Sequence, residues 1–247
     1  MITLISALFP ALDQNINHEK WKDLLSLLID TQIPLVLYID PELMVSLEAS
    51  FDLSRHVIRV MDNDKLTQGL WLFDKFYKLG KEKNLTDETL ITLIIRIRSL
   101  GWLNDESILN PFQTEKFVWL DPTLLDEINP YYLKSEGSLD LIASLLSQML
   151  IMERPRNEEE ENISSKLFGG NISVLSTVNN AYWNAYSEAL NQGHIPCFSS
   201  LINNLCLHMP ENFSRFNLQS NGLEGALFEA LNKGIVPIET TYVKHYE

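Results

Sequence analysis

The feature that most constrains this chain is a pattern it uses twice: a short apolar run that stops on an aspartate followed at once by proline. Residues 35–40 read Leu-Val-Leu-Tyr-Ile-Asp before Pro41, and residues 117–121 read Phe-Val-Trp-Leu-Asp before Pro122. Runs this apolar, rich in β-branched and aromatic residues and without polar alternation, predict strands covered on both faces, as in a parallel sheet flanked by helices. Two strands that finish this way put Asp40 and Asp121 at the same sheet edge. In open parallel sheets, ligands collect at the carboxyl edge. Each acid also has a local role open to it. Asp121 can cap the following segment through the amides of Thr123 and Leu124, and Asp40 can cap a helix beginning around Glu42.

The rest of the chain reads as the strands and helices such a sheet needs. Residues 3–9 predict a first strand whose end, with the small residues Ser6 and Ala7, opens onto the ligand edge or simply turns at Pro10. Asn17 caps a helix with Trp21, Leu24, Leu25 and Leu28 on one face, and residues 56–60 predict a third strand. Asp62-Asn63-Asp64 is ordinary turn composition. Thr86 caps a helix whose Leu90, Leu93, Ile94 and Ile97 face inward. Arg96 and Arg98 on that helix demand partners, because they sit in a mainly apolar segment. A guanidinium can clamp a diphosphate with two parallel bonds, or pair with Asp105 or Glu106. Further on, Ser138 caps a helix towards Leu146, a strand ends near Met152, and residues 153–162 form a solvated polar run. Gly169 and Gly170 precede a long helix containing Val174, Val178 and Tyr182, where glycines permit close backbone approach and free amides. Residues 214–247 alternate short helix and strand signals and give no continuous pattern.

With 247 residues, 45% hydrophobic and 21% charged, the chain reads as one globular domain over residues 1–247. A formal net charge of -14 argues against association with nucleic acid or an anionic membrane surface, so phosphate recognition must come from a few placed cations and amides. The apolar run at residues 2–9 lacks a preceding basic residue and stops at Pro10, which reads as a strand and not as a signal peptide. No stretch is apolar for long enough to cross a bilayer. Cys197 and Cys206 have no metal spacing and form no disulfide framework, which fits a reducing cytoplasm. No nucleophile elbow, Walker loop or dinucleotide glycine fingerprint is present.

The stretch Asn110-Pro-Phe-Gln-Thr-Glu-Lys-Phe-Val-Trp-Leu-Asp121 resembles the signature of the HtrL/YibB-type proteins, a group similar to GT-A-fold glycosyltransferases. The opening residues 2–10, the Trp21 helix, residues 34–40, Phe168-Gly-Gly170 and Met209-Pro-Glu-Asn-Phe213 agree with it in order. The resemblance implies a single GT-A-like (Rossmann-like) α/β domain with a mostly parallel central sheet flanked by helices. It further implies transfer of a sugar from a nucleotide sugar to a glycan or other hydroxyl acceptor. A divalent cation, Mn²⁺ or Mg²⁺, would be held by Asp121 and the diphosphate. Ser6 and Ala7 would lie beside the base, Asp40 on the ribose or base, Arg96 or Arg98 on the diphosphate, and Gly169 and Gly170 in a sugar or acceptor loop. Glu211 is the candidate for the proton acceptor of an inverting transfer. Two departures keep a second reading open. Arg98-Ser99 stands where a Ser-Lys pair is usual, and Cys197-Phe-Ser-Ser200 stands where acids are usual. A silent domain of the same fold that binds a glycan or protein partner is the alternative. Neither oligomeric state nor donor is indicated.

Overall fold

Seven consecutive buried residues form β1 (Ile2–Leu8), as a strand covered on both faces requires. The computed structural model describes residues 2–12, 16–31, 33–45, 51–126, 147–153, 163–217 and 238–239. The helix expected from Ser138, the loop at 129–132, nearly all of the polar run and most of the tail lie outside these residues. After β1 comes α1 (His18–Asp30), started by Asn17, whose Oδ1 accepts the Lys20 amide at 2.9 Å. Its buried face is Trp21, Leu24, Leu25 and Leu28. β2 (Leu35–Ile39), α2 (Pro41–Val45), β3 (His56–Val60), α3 (Asn63–Gln68), α4 (Phe73–Glu82), α5 (Asp87–Leu109) and β4 (Lys116–Leu120) follow.

β1 pairs in parallel with β2 on one side and with β4 on the other, and β3 adds in parallel outside β2. The chain thus steps outward through β2 and β3, then returns through α5 to the far side of β1. Right-handed crossovers in opposite directions place α1 and α5 on opposite faces. The β1–β4 boundary is therefore a topological switch point, where a crevice opens at the carboxyl ends of the strands. The second half adds β5 (Met149–Glu153), β6 (Ile163–Asn171), α6 (Ile172–Asn191), α7 (Phe198–His208), β7 (Phe213–Asn217) and β8 (Ile238–Glu239). The eight-stranded sheet runs β3-β2-β1-β4-β6-β5-β7-β8, with β6 antiparallel to β4 and β5, and β7 parallel to β5. The architecture is the expected α/β domain with a mostly parallel sheet, and α5, α6 and α7 pack together over one face. Among the described residues no helix is long and apolar enough to cross a membrane.

One expectation is corrected here. Gly169 and Gly170 do not form a ligand loop; they are buried within β6, opposite Val118 and Phe117 of β4. Gly169 serves interstrand contact, and Gly170 makes room for Val174 and Leu175 of α6. A Cβ on Gly169 would overlap the Phe117 carbonyl oxygen and stand 3.0 Å from the Val118 Cα, both backbone atoms that cannot turn aside. The free amide expected at the following helix start is also occupied, since Asn171 Oδ1 accepts the Val174 amide at 3.0 Å.

Glu106 of α5 is a buried acid, 1% exposed. Its Oε1 accepts the Tyr38 hydroxyl of β2 at 2.9 Å and the Arg59 Nε of β3 at 2.9 Å, and its Oε2 accepts Arg59 Nη2 at 3.2 Å. Burial and the Glu106 charge push the Tyr38 hydroxyl far above the usual tyrosine range, so it remains a donor at any physiological pH. Among the described residues neither Arg96 nor Arg98 hydrogen-bonds to this acid. Glu106→Ala should lower stability by roughly 2–4 kcal/mol, because it orphans a buried hydroxyl and leaves the partly exposed Arg59 unpaired. Gly169→Ala should lower it by about 1–3 kcal/mol through overpacking. Urea unfolding of both variants measures these losses.

Candidate functional site

The carboxyl edge is built by the ends of β1, β2 and β4 and by the start of β6, which runs the other way. Asp121 follows β4 directly and is 4% exposed. Its backbone amide donates to the Lys166 carbonyl of β6 at 2.7 Å, which welds the two strands at this point. Its Oδ1 accepts the Thr123 amide at 2.9 Å and the Thr123 hydroxyl at 2.8 Å. The local capping role is thus realised, and Asp121 starts the 3-10 turn Pro122–Asp126. Burial pushes its carboxyl above the ordinary range, while the Thr123 hydrogen bonds and the charges of Lys166 and Arg96 pull it back.

Asp40 behaves in the same way at the end of β2, accepting the Glu42 amide on Oδ1 at 2.8 Å. Ser6 and Ala7 are placed differently from the expectation. Both lie inside β1 with no exposed surface, and the Ser6 Oγ donates to the Leu120 carbonyl at 2.6 Å. The strand continues past them to Leu8, so they brace β1 against β4 instead of facing a ligand. The turn that does open the edge after β1 is Pro10–Leu12, tied to α5 by the Thr92 hydroxyl, which donates to the Ala11 carbonyl.

The two arginines part company. Two residues apart on a helix, they point to different sides. Arg96 is close enough for its charge to act on Asp121, and its buried Nε has no hydrogen-bond partner among the described residues. Arg98 turns outward, where Nη1 donates to the carbonyls of Lys65 at 3.0 Å and Leu66 at 2.7 Å, and its guanidinium lies 5.2 Å from the Trp102 ring centre. Arg98 therefore closes the carboxyl end of α3 and does not join Arg96. Glu211 is also removed from the edge. It is exposed in the turn Pro210–Asn212 before β7, and β7 starts beside Met149, the amino end of β5, at the side of the sheet opposite Asp121. A proton acceptor working with Asp121 cannot sit there.

Lys166 is the residue that sequence reasoning missed. The only signal for it was the polar stretch Ser164, Ser165 and Lys166 ahead of the apolar remainder of β6. The stretch Cys197–Ser200 has a structural role. Ser200 and Cys197 form a reciprocal cap on α7, and the Ser199 Oγ accepts the Ile163 amide at 3.2 Å. Among the described residues no three His, Cys, Asp or Glu side chains gather in one place. A divalent cation shared with a diphosphate still needs an ionised, accessible carboxylate. Asp121 is buried, one of its oxygens accepts the Thr123 amide and hydroxyl, and the charges of Lys166 and Arg96 act on it.

No family model and no curated protein matches this chain, so the HtrL/YibB-type likeness rests on the quoted residues alone. Among solved structures, mouse xyloside xylosyltransferase 1 in its apo form aligns over 100% of this chain and 98% of its own at 12% identity, with a TM-score of 0.42. A glycosyltransferase involved in the glycosylation of the major capsid of PBCV-1 aligns over 95% of this chain and 92% of its own at 11% identity, with a TM-score of 0.46. Similarity at this level assigns no residue and no activity to the chain.

The Asp121 carboxyl binds its proton more tightly in the folded chain than in the unfolded one. Its contribution to stability is therefore most favourable below the unfolded pKa and falls as pH rises towards the folded pKa. Asp121→Asn keeps an oxygen for Thr123 and removes this slope. The variant should gain melting temperature relative to the parent at pH 7 and lose that advantage near pH 4, as thermal melts across this range will read.

Proposed function

We propose that this chain binds a nucleoside diphosphate sugar at the carboxyl edge of its sheet and transfers the sugar to a hydroxyl of a glycan or other acceptor. The observation that supports this best is Arg96 of α5, whose charge acts on Asp121 at the end of β4. It has a buried Nε without a partner among the described residues, beside an acid that it does not neutralise in a short ion pair. In a chain of net charge -14, an arginine kept in this state at the ligand edge suits an anionic ligand. Departure of a nucleoside diphosphate leaves negative charge on its phosphate oxygens, and a fixed guanidinium aimed there lowers the barrier without reorganisation. Lys166 adds positive potential from β6. Asp121 acts on this reading as the brace that holds the β4 end and its turn. Asp40 lies at the same edge with one oxygen engaged by the Glu42 amide, which leaves the other for a ribose hydroxyl.

A binding domain without turnover is the second reading. It is favoured by the Cys197–Ser200 cap, which fills with uncharged side chains the place where the resembled family has acids, and by the remoteness of Glu211. Calorimetric titration with UDP, GDP and CDP, in EDTA and in Mn²⁺, tests the site, and release of free sugar from the matching sugar nucleotide separates the two readings. One nucleotide should bind in EDTA, and Arg96→Ala should weaken it about 10- to 100-fold. Binding in Mn²⁺ alone would restore the divalent cation as a requirement. Absence of binding in both solutions would end the nucleotide-sugar reading.

A further inference from the structure

A cavity of about 260 Å³ lies on the outward side of α5, between that helix, α6 and the turn joining α3 to α4. It is a different place from the sheet edge, since Arg98 lines it and Arg96 does not. Three indoles contribute to its wall: Trp71, Trp102 and Trp183. Trp71 is 56% exposed, on a turn held by Leu72 in the left-handed region at φ 58 and ψ 29. A non-glycine residue in that region is uncommon, and such residues concentrate where a shape has to be kept. Trp183 is fixed by its own N–H, which donates to Asn179 Oδ1 at 3.0 Å. Trp102 is 2% exposed, and its N–H has no partner among the described residues. The polar groups here are the Arg98 guanidinium, the Asn179 amide and the exposed Asp105 carboxylate, for which no ion pair is found among the described residues. Two glycines keep the space open. A Cβ at position 101 would stand 3.3 Å from the Trp183 ring, and one at position 69 would collide with Arg98.

We propose that this cavity is a carbohydrate site that takes one neutral sugar ring. The volume is roughly that of eight or nine waters at liquid density, enough for a single ring and too little for two. Indole faces present broad apolar surface to the C–H face of a pyranose, while the rim groups meet its hydroxyls: a carboxylate accepts pairs of hydrogen bonds and the amide donates. One guanidinium and one carboxylate balance each other, so no net charge at the cavity selects a charged ligand. A nucleotide base would stack as well, but its phosphates would find the Arg98 charge already balanced by Asp105 and would meet the field of an acidic chain. The site is preformed, because Arg98, Trp183 and the Trp71 turn are each held by contacts within the protein.

Titration of the full chain with the methyl glycosides of glucose, galactose, mannose and N-acetylglucosamine, read by tryptophan fluorescence and calorimetry, tests the assignment. At least one should bind with a dissociation constant in the millimolar range. Trp71→Ala should weaken it tenfold or more, and Asp105→Asn should weaken it severalfold, with thermal unfolding unchanged in both. Asp121→Asn and Arg96→Ala should leave it unaffected, which separates this site from the sheet edge. The proposal fails if none of the four binds at roughly 50 mM, if Trp71→Ala binds as the parent does, or if uridine displaces the bound glycoside.

Discussion

The stacking of Trp102 against the sheet is the contact on which the arrangement of both sites depends. Its ring lies 4.5 Å from Tyr38 of β2, 6.1 Å from Trp119 of β4 and 6.2 Å from Phe9 at the end of β1. One indole thus spans three strands and sets the rotation of α5 about its axis. Trp119 continues the contact to Phe168 of β6, and Phe168 to Phe198 of α7. Large rings at these distances contribute beyond their buried area and leave few alternative packings. Once the rotation of α5 is fixed, Arg98, one turn before Trp102, lies against that ring and reaches the end of α3, while Arg96 leaves the helix on another side. The difference between the two arginines is therefore a property of the core.

Charge is distributed around that core with opposite outcomes. Glu106 is buried with two donors from neighbouring strands, so its desolvation is offset by three hydrogen bonds. Asp121 is buried with Thr123 donating to one oxygen and two cations acting from farther away, and its proton affinity rises. A carboxyl in that state holds its turn in place, and its charge is kept in check. Lys166 and Arg96 act on it from β6 and α5, so the edge it occupies carries charges of both signs.

Much of this was legible in the amino-acid order. The unbroken apolar runs ending on Asp-Pro specified covered parallel strands, and the caps Asn17 and Thr86 located the starts of α1 and α5. The strand ends at Asp40 and Asp121 followed from the same pattern, and so did their alternative role as caps. What was not legible depends on long-range pairing. Whether Gly169 and Gly170 belong to a strand or a loop depends on β6 reaching back alongside β4, which no local signal specifies. Ser6 and Ala7 could not be told from loop residues without knowing where β1 stops. Arg96 and Arg98 are chemically equivalent in sequence, and only the Trp102 contact distinguishes them. The Trp71, Trp183 and Asp105 constellation joins segments far apart in the chain, so no spacing rule could reveal it.

The close approach of Gly69 to Arg98 couples the two positions. Any side chain at position 69 would meet the guanidinium that closes α3. A side chain at 69 therefore displaces the guanidinium, and the displaced guanidinium gives up its bonds to the Lys65 and Leu66 carbonyls. The smallness of residue 69 and the capping of α3 are thus one constraint shared by two positions 29 residues apart in the chain.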